Sequence, residues 1–340
     1  MAAKRVTLIH NPKAGDDRQP TLGQLEALLK EAGYKVRYQS AKEPGWEKAL
    51  KRPADIVAVA GGDGTVTKVA RRLIGKDMPI AVLPMGTANN ISKTLGISDM
   101  LVTQLIPAWK SARRVSFDAG CARGPWGGRY FIEGVGVGLL TTAIPKASKS
   151  KTLEQLKETE VKVSYAQQLF REHLADAPAM EIKAKLDGTD ISGRYLLLEV
   201  LNMQYIGPNL FLAPEFVRND GEFDIVLVQE KHREKFRAHI KQWQEGKLLP
   251  PEFITHRGKK LEMRWNGFAL HMDDKVWPPK GTRKPRAPAD IEFEVVAEAV
   301  RFLVPQEVHE LQELSRKNRE KGKELADKRP PRKAVAHAKR

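Results

Sequence analysis

Cysteine is almost absent from this chain of 340 residues, which contains only Cys121. A single thiol excludes an internal disulfide, so we expect a reducing compartment such as the cytoplasm. Long apolar runs are also absent, and none approaches the roughly 20 residues that a membrane-spanning helix needs. The first apolar run, Val6–Ile9, is too short for the core of a signal peptide and predicts a strand instead. The chain is long enough for two domains that each bury a core of their own.

Positive charge is plentiful but unevenly distributed, with 58 Lys or Arg against 42 Asp or Glu and a net charge of +16. Residues 316–340 hold 11 Lys or Arg and 3 Asp or Glu, so they carry +8, half of the total. Because large apolar residues are scarce there, we expect residues 315–340 to form a basic disordered tail. Such a tail either attracts an anionic membrane surface or only aids solubility. The remaining charge is spread without a nucleic-acid-reading motif, so we expect no nucleic-acid partner.

The first third of the chain alternates between strand and helix patterns. Arg5–His10, Asp55–Ala60 and Pro79–Leu83 are short apolar runs, of the kind that a parallel sheet buries on both faces. Between them, apolar residues such as Leu22, Leu25 and Leu29 recur at helical spacing. This order predicts an α/β fold with a doubly wound parallel sheet, and we assign residues 1–118 to this N-terminal domain.

The pattern changes after about residue 113, where strand patterns dominate and helix patterns become sparse. We expect helices at residues 152–175 and 233–244 within a mostly antiparallel, β-rich domain that covers residues 119–300. Residues 300–305 form a further short apolar run, so residues 301–314 are expected to return to the first domain. The strand predictions cover residues 117–123, 130–137, 181–186, 194–201, 223–228, 260–265, 268–272 and 291–296.

The strongest chemical signal is Gly61-Gly62-Asp63-Gly64-Thr65, which joins an apolar strand to a helix. Glycines allow a sharp turn and a close approach of the backbone to a ligand. The amides and the dipole at the start of the helix favour phosphate. A carboxylate beside phosphate would be repulsive unless Asp63 bound Mg²⁺ or a ribose hydroxyl. The alternative is a plain glycine turn in which Asp63 only caps the helix.

Two further turns follow the carboxyl ends of strands in the same half of the chain. They are Asn11-Pro12-Lys13-Ala14-Gly15 and Met85-Gly86-Thr87-Ala88-Asn89-Asn90. Ligands of open α/β sheets bind at the carboxyl ends of the strands. Three polar turns that carry glycine on one rim therefore predict a phosphate-containing ligand.

Together these three turns resemble the catalytic domain of the diacylglycerol kinase family, which includes bacterial lipid kinases and sphingosine kinases and is related in fold to NAD kinases. The resemblance continues in the family's order, and more loosely at its last motif, through Asp118-Ala-Gly120, Gly134-Val-Gly136-Val-Gly138, residues 202–210, Leu212-Ala-Pro214, Asp220-Gly-Glu-Phe-Asp224 and His271-Met-Asp-Asp274. It spans roughly residues 6–305 and implies an active site in the cleft between the two domains.

The resemblance also implies roles for individual residues. ATP would be held by Asn11, Lys13, Gly61, Gly62, Asp63, Gly64, Thr65, Gly86, Thr87 and Asn89. Asp63 and Asp118 would belong to a network of water and Mg²⁺. Asp220, with the backbone carbonyls of Val217 and Glu222, would hold a structural metal, although the residues alone favour a turn there.

Three positions depart from the family's pattern close to the chemistry. Asn90 stands where the family has Asp, Glu133 stands where Asn is common, and Lys275 stands where the family has the Glu that resembles a general base. Loss of a base costs roughly 10²–10⁴-fold, so activity need not disappear. We expect Asp274 to act as the base, with Asp273 as the alternative, and Glu133 to restore the lost negative charge. Asp63, Asp273, Asp274 and Glu133 are thus the candidate catalytic residues.

The sequence therefore predicts an ATP- and Mg²⁺-dependent kinase that phosphorylates a lipid hydroxyl, with diacylglycerol as the default acceptor. Monoacylglycerol, phosphatidylglycerol, a sphingoid base or a soluble diol are alternative acceptors. Such an enzyme would be cytoplasmic and peripheral at the inner face of the membrane, where Trp277 and its basic loop could contact headgroups. Trp277 folded onto the domain is the plainer alternative. The rival function is a non-catalytic module that binds nucleotide or lipid, and a homodimer is compatible with the sequence.

Overall fold

The computed structural model of the protein describes residues 3–16, 18–147, 149–247, 253–279, 281–282 and 285–327. The N-terminal part alternates strands with helices, and a short 3₁₀ helix at Trp46–Lys51 precedes the third strand. Its strands are β1 (Arg5–His10), β2 (Lys35–Ser40), β3 (Ile56–Gly61) and β4 (Pro79–Pro84). Its helices are α1 (Leu22–Glu31), α2 (Asp63–Leu73), α3 (Asn90–Thr94) and α4 (Val102–Ala108).

The remainder of the chain is richer in strands. Its helices are α5 (Leu139–Ala147), α6 (Lys151–Gln155), α7 (Thr159–Asp176), α8 (Arg233–Gln244) and α9 (Gln306–Asp327). Its strands are β5 (Arg113–Gly124), β6 (Gly127–Phe131), β7 (Gly134–Gly138), β8 (Met180–Ile182), β9 (Ala184–Leu186), β10 (Thr189–Asp190), β11 (Gly193–Leu201), β12 (Tyr205–Ile206), β13 (Leu210–Phe211), β14 (Phe223–Gln229), β15 (Ile254–Gly258), β16 (Lys260–Trp265), β17 (Leu270–Met272), β18 (Lys275–Trp277) and β19 (Ala289–Val304).

The N-terminal strands form a parallel sheet in the order β2-β1-β3-β4. Every residue of β3 is buried, as the apolar run in the sequence predicts for a strand covered on both faces. The carboxyl ends of β1, β3 and β4 therefore lie at one edge, and the three polar turns follow them there. The predicted α/β fold with a parallel N-terminal sheet is confirmed.

The second sheet is antiparallel and lies in the C-terminal part of the chain. Its order is β15-β14-β11-β7-β17-β18, with β8 beside β11. The central strand β7 carries three glycines, which leave room for large side chains from β11 on one of its sides. This sheet confirms the prediction of a mostly antiparallel second part.

One long strand, β19, connects the two parts. It runs parallel to β4 at Arg301 and Phe302, pairs antiparallel with β5, and pairs with β16 near its start. The sequence predicts two separate strands here, but the structure has one strand whose register shifts between Val296 and Val300. The boundaries expected at residues 118 and 300 fall inside β5 and β19, which continue past them.

The predicted strand at residues 130–137 is interrupted in the structure. It divides into β6 and β7, with Ile132 and Glu133 between them. The backbone amides of residues 132–134 donate to the carboxylate of Asp273, so they are not free for regular strand pairing. A contact across 139 residues or more of chain thus overrides the local strand preference.

The predicted helices differ in extent from those in the structure. The single helix expected at residues 152–175 is divided into α6 and α7 by a turn at residues 156–158, and α5 precedes them unpredicted. Residues 315–327 continue α9, so the expected disorder from residue 315 does not hold for them. The second turn of α9 contacts the end of α3 through Gln312, which donates to the Thr94 carbonyl at 3.4 Å. Residues 328–340 lie outside the described residues.

Trp277 follows the plainer of the two alternatives. Its side chain is buried and packs against Trp126, with ring centroids 4.0 Å apart, and against Trp265 at 5.5 Å. It therefore belongs to the core of the second part instead of facing a membrane. None of the helices in the described part of the chain is both long enough and apolar enough to cross a membrane.

Candidate active site

A cleft of about 500 Å³ opens where the three polar turns of the first part meet the second sheet. The side of the cleft that belongs to the parallel sheet is formed by Asn11, Lys13, Ala14, Gly15, Gly62, Asp63, Gly64, Thr65, Gly86, Thr87 and Asn90. The opposite side includes Glu133, Leu140, Ile144, Gly207, His271, Asp273, Asp274 and Lys275. Most of the residues predicted to bind ATP are therefore brought to one place, together with the predicted catalytic carboxylates.

The two glycine turns of the cleft lie against each other. A Cβ atom on Gly62 would lie 2.8 Å from the Cα of Gly86, so only glycine allows this approach. Asn89 holds the second turn in place, since its side chain accepts from the Gly86 amide and donates to the Gly86 carbonyl, both at 2.9 Å. Asn11 joins the third turn by donating to the Thr65 hydroxyl at 3.3 Å.

Asp63 occupies the first position of α2 and faces the start of α3. Its Oδ1 accepts from the Ile91 amide at 3.0 Å. Burial raises the pKa of Asp63, while the backbone amides of residues 89–91 oppose the shift. Asp63 is thus more than the cap of its own helix, because its carboxylate is held at the junction of two turns that line the cleft.

Glu133 is a buried carboxylic acid in the wall of the cleft. Burial raises its pKa well above the ordinary value, and the neighbouring carboxylates of Asp63, Asp273 and Asp274 raise it further. The Asn90 side chain is its hydrogen-bond neighbour and opposes this shift. The same Asn90 amide donates to the Gly207 carbonyl at 2.9 Å, so Glu133 lies near the point where Gly207 enters the cleft.

Asp273 is held too firmly to be a mobile base. It is buried in the turn between β17 and β18 with a φ of +50°, and its carboxylate contacts the guanidinium of Arg71 at 2.6 Å. The same carboxylate accepts from the amides of Ile132 at 3.0 Å and Glu133 at 2.8 Å. Burial raises the pKa of Asp273, and Arg71 and the amides oppose the shift. Asp273 therefore anchors the backbone that carries Glu133.

Asp274 lies on the other side of the turn and faces the first part of the chain. Its carboxylate is next to Gly64, where an added Cβ would lie 3.1 Å from Oδ2. It also pairs with the ammonium group of Lys275 at 3.0 Å and is 40% exposed. Both carboxylates named as candidate bases thus reach the cleft, but Asp274 is partly neutralised by a neighbouring cation.

Five lysines line the cleft, namely Lys13, Lys42, Lys68, Lys162 and Lys275. The sequence motifs contain only Lys13 and Lys275. Lys42 follows the carboxyl end of β2, and this position could have identified it. Lys162 belongs to α7, and no local signal places it here. Cations from five separate segments would neutralise several charges of a polyphosphate.

The oxygen atoms at the base of the cleft fit Mg²⁺ bound together with phosphates. Asn90 Oδ1 is buried and has no hydrogen-bond partner among the described residues, and it lies close to the carboxylates of Asp63 and Glu133. Mg²⁺ in such sites is typically held by one or two carboxylates and by the substrate phosphates. Within the described residues, no group of three or more His, Cys, Asp or Glu side chains is placed to hold a metal. The triphosphate would therefore supply the other ligands.

An apolar groove adjoins the cleft. Its volume is about 630 Å³, and it lies mainly between α5 and α7, with Phe170 among its buried residues. The groove and the cleft share Thr87, Leu140, Ile144 and Gly207. Its residues on α7 extend from Val163 to Asp176, which corresponds to about 20 Å at the helical rise.

Two family models match the chain. The diacylglycerol kinase catalytic domain matches residues 5–121, and the YegS C-terminal NAD kinase beta sandwich-like domain matches residues 145–304. The chain belongs to the diacylglycerol kinase family. It is 29% identical over 245 residues to a diacylglycerol kinase of Bacillus subtilis (strain 168), covering 68% of this chain and 76% of that protein. It is 26% identical over 270 residues to one of Staphylococcus haemolyticus (strain JCSC1435), covering 76% and 78%.

The solved structures support the same fold. A diacylglycerol kinase from Bacillus anthracis str. Sterne superposes with a TM-score of 0.65 at 21% identity, covering 91% of this chain and 99% of that one. This likeness concerns the fold alone. It agrees with the confirmed arrangement of a parallel N-terminal sheet and an antiparallel second part.

In this diacylglycerol kinase family member, Asp118 does not line the cleft. Its carboxylate accepts from the amides of Gly221 at 2.8 Å and Glu298 at 2.6 Å, and burial raises its pKa. Asp118 therefore fastens the loop before β14 to the irregular point of β19. The expected network with Asp63 is not formed by direct contact between these two residues.

Asp220 does not fit a structural metal site as its surroundings stand. Its carboxylate pairs with the guanidinium of Arg257, which also reaches Glu222 at 3.2 Å. The positive charge that would balance Asp220 is therefore supplied by the chain itself.

We expect Gly86→Ala to disturb the two glycine turns that lie against each other in the cleft. The new methyl group would overlap the Gly62 backbone, and overpacking of this kind costs about 1–3 kcal/mol of unfolding free energy. Thermal unfolding and ATP binding by calorimetry should both show the loss. The matched control is Gly23→Ala in α1, where no atom lies within 4 Å, and which should raise stability by about 0.5–1 kcal/mol. Equal behaviour of the two variants would contradict the contact between the turns.

A second prediction concerns Asp224, a buried residue of β14 beside Asp220 and Arg257. Burial raises the pKa of Asp224 to about 7. An acid whose folded-state pKa exceeds its unfolded value loses stability as the pH rises between the two values, here from about 4 to 7. Asp224→Asn should therefore gain stability relative to the natural chain at pH 8 but not at pH 4.5, by up to about 4 kcal/mol.

Thermal unfolding at both pH values checks this prediction. Asp190→Asn is the control with the opposite sign, because hydrogen bonds from Ser192 lower the pKa of Asp190. Asp190→Asn should therefore lower the free energy of unfolding more at high pH than at low pH. A stability difference for Asp224→Asn that does not change with pH would contradict the raised pKa.

Proposed function

We propose that the protein is an ATP- and Mg²⁺-dependent lipid kinase that transfers the γ-phosphate to a hydroxyl group of a lipid. One observation carries the proposal: a cleft with phosphate-binding turns, lysines and carboxylates opens directly into an apolar groove. The groove is about 20 Å long, whereas one leaflet of a bilayer core is about 15 Å thick, so an acyl chain fits its length. Diacylglycerol is the acceptor that the relatives' names suggest.

On the nucleotide side, the chain would bind and orient the triphosphate. The start of α2 and the turn residues that line the cleft would face the phosphates, and the lysines would neutralise their charge. Asp63 and the unpaired Asn90 Oδ1 would hold Mg²⁺. When bound, this ion would neutralise the charge that develops on the phosphate oxygens.

On the acceptor side, Glu133 would be the general base. It lies in the wall near Gly207, which the cleft shares with the groove, whereas Asp274 lies next to Gly64 and pairs with Lys275. In its ionised form, which Mg²⁺ and the lysines of the cleft would favour, Glu133 would take the proton of the lipid hydroxyl while the hydroxyl oxygen bonds to the γ-phosphorus. The bond from that phosphorus to the β,γ-bridging oxygen breaks, and the products are ADP and a lipid phosphomonoester. This arrangement replaces the family's usual carboxylates with one from another segment.

A non-catalytic module that binds nucleotide or lipid is the second candidate. Asn90 and Lys275, which stand where the family has carboxylates, favour it. The position of Glu133 in the cleft argues against it, because a carboxylate does stand opposite Asp63.

The test is transfer of γ-phosphate from labelled ATP, with Mg²⁺, to diacylglycerol, monoacylglycerol, phosphatidylglycerol and a sphingoid base. Each acceptor other than phosphatidylglycerol, which is itself anionic, is presented in vesicles with and without added anionic lipid, so that the effect of an anionic surface on transfer is measured in the same assay. We expect label in at least one lipid with the natural chain and none with Asp63→Asn. ATP binding without transfer to any acceptor would favour the non-catalytic module.

A further inference from the structure

The most deeply buried ionisable pair of the described chain lies behind the cleft. Glu199 on β11 and His271 on β17 are both fully buried, and His271 Nε2 lies 2.7 Å from Glu199 Oε2. Buried ionisable groups are costly to keep, so such a pair calls for an explanation. His271 also forms part of the cleft wall, whereas Glu199 does not.

A glycine makes this contact possible. Glu199 and His271 lie on either side of Gly136 in the sheet, because β11 and β17 both pair with β7 at that position. A Cβ atom on Gly136 would overlap the Glu199 carboxylate. The two side chains therefore meet across the central strand in the space that the missing side chain leaves.

The imidazole of His271 connects this pair to the turn between β17 and β18. Its Nδ1 lies 3.2 Å from the backbone carbonyl oxygen of Asp273, which can only accept a hydrogen bond. Both ring nitrogens thus face oxygen atoms, so the pair must keep one proton between Nε2 and the carboxylate. The raised pKa of His271, which Glu199 lifts against the effect of burial, agrees with this arrangement. The other carboxylate oxygen, Oε1, has no hydrogen-bond partner among the described residues, so His271 is the group that stabilises Glu199.

The turn that His271 holds determines the geometry of the cleft. The Asp273 amide donates a hydrogen bond to the Gly134 carbonyl at 2.8 Å, and the Asp273 carboxylate accepts from the amides of Ile132 and Glu133. Arg71 of α2 binds the same carboxylate and joins the turn to the helix that starts at Asp63. A shift of this turn would therefore move Glu133 and Asp274 together relative to the nucleotide turns.

We propose that Glu199 and His271 are a positioning pair, which fixes the Asp273 turn and thereby places Glu133 for phosphoryl transfer. The inference rests on the proposed kinase function. Neither residue needs to touch the substrate for this role. A displacement of about 1 Å in a catalytic group can cost roughly 10²-fold in rate, so the contribution of such a pair is measurable.

Two conservative variants separate the two contacts of the imidazole. His271→Gln keeps a donor toward Glu199 but has no group for the Asp273 carbonyl. Glu199→Gln keeps a partner for Nε2 and lets a neutral imidazole donate from Nδ1 to that carbonyl. We expect His271→Gln to lower kcat by about 10- to 100-fold with the KM for ATP within about threefold, and Glu199→Gln to keep kcat within about threefold.

Two readouts distinguish positioning from general stability. Turnover is measured per folded molecule, and amide hydrogen exchange is followed in the peptide covering residues 270–277, which should exchange faster in His271→Gln only. Natural kcat and natural exchange in folded His271→Gln would overturn the proposal. If His271→Gln does not fold, Glu199→Leu is the second test, because it removes the partner of Nε2 and leaves His271 itself in place. Natural kcat and natural exchange of residues 270–277 in folded Glu199→Leu would then overturn the proposal.

The outcome also separates this inference from the kinase function itself. Absence of transfer by the natural chain to any lipid acceptor would contradict the proposed function. Hydrogen exchange in the turn would still show whether Glu199 and His271 hold it in place.

Discussion

Asp63→Asn should abolish measurable phosphoryl transfer, with a loss of at least about 10³-fold, or roughly 4 kcal/mol of transition-state stabilisation. The substitution removes one negative charge where Mg²⁺ and the phosphates would meet, but it keeps the shape of the side chain. The amide oxygen of Asn can still accept from the Ile91 backbone, which Asp63 Oδ1 does at 3.0 Å. The fold should therefore survive, and the loss should appear in kcat with little change in the melting temperature.

The matched control is Asp77→Asn. Asp77 pairs with Arg114 at 3.5 Å, and its side chain is 81% exposed and does not line the cleft. The same chemical change there should leave transfer within about twofold, because exposed ion pairs contribute little. Full activity of Asp63→Asn would show that Asp63 takes no part in phosphoryl transfer. It would also contradict the assignment of the Gly61–Thr65 turn to phosphate binding.

Glu133→Gln should lower kcat by about 10²–10⁴-fold, the range that loss of a general base produces. Stability should not fall, because the substitution removes an acid whose charged form is disfavoured by burial and by three neighbouring carboxylates. ATP binding should change less than turnover. Single-turnover measurements with a saturating acceptor check the prediction without interference from product release.

Asp274→Asn provides the decisive comparison, because Asp274 is the base that the sequence predicts. We expect a loss below about tenfold there, since Lys275 already pairs with this carboxylate at 3.0 Å. Glu181→Gln, an exposed position of β8, controls for the Glu-to-Gln change itself. A larger loss in Asp274→Asn than in Glu133→Gln would return the role of base to Asp274.

The side of the cleft that belongs to the parallel sheet could be predicted from the sequence because its signals are local. An apolar strand, a glycine turn and the beginning of a helix lie within the few residues around Gly61–Thr65. Parallel strands bring such turns to one edge of the sheet. These signals single out Asp63 and Gly86, which both line the cleft. The predicted parallel sheet and antiparallel second part follow from equally local patterns of apolar residues.

The opposite side of the cleft could not be predicted to the same depth, since its contacts join distant segments. The break between β6 and β7 depends on Asp273, and the approach of Lys162 depends on how α7 packs. The sequence alone does not distinguish Arg71 from a surface residue of α2, because its partner Asp273 lies 202 residues away. The charge of Arg257 beside Asp220 is likewise visible only when β14 and β15 are paired.

The long strand β19 has a consequence for synthesis of the chain on the ribosome. Strand β4 ends at Pro84, and its outer neighbour is completed only at Val304, about 220 residues later. At about 5–20 residues per second, the edge of the parallel sheet waits roughly 10–45 s for its partner. An open apolar edge invites pairing with other nascent chains. The yield of folded protein should therefore depend on chaperones and should be higher at low growth temperature. A fragment that ends near residue 118 should aggregate.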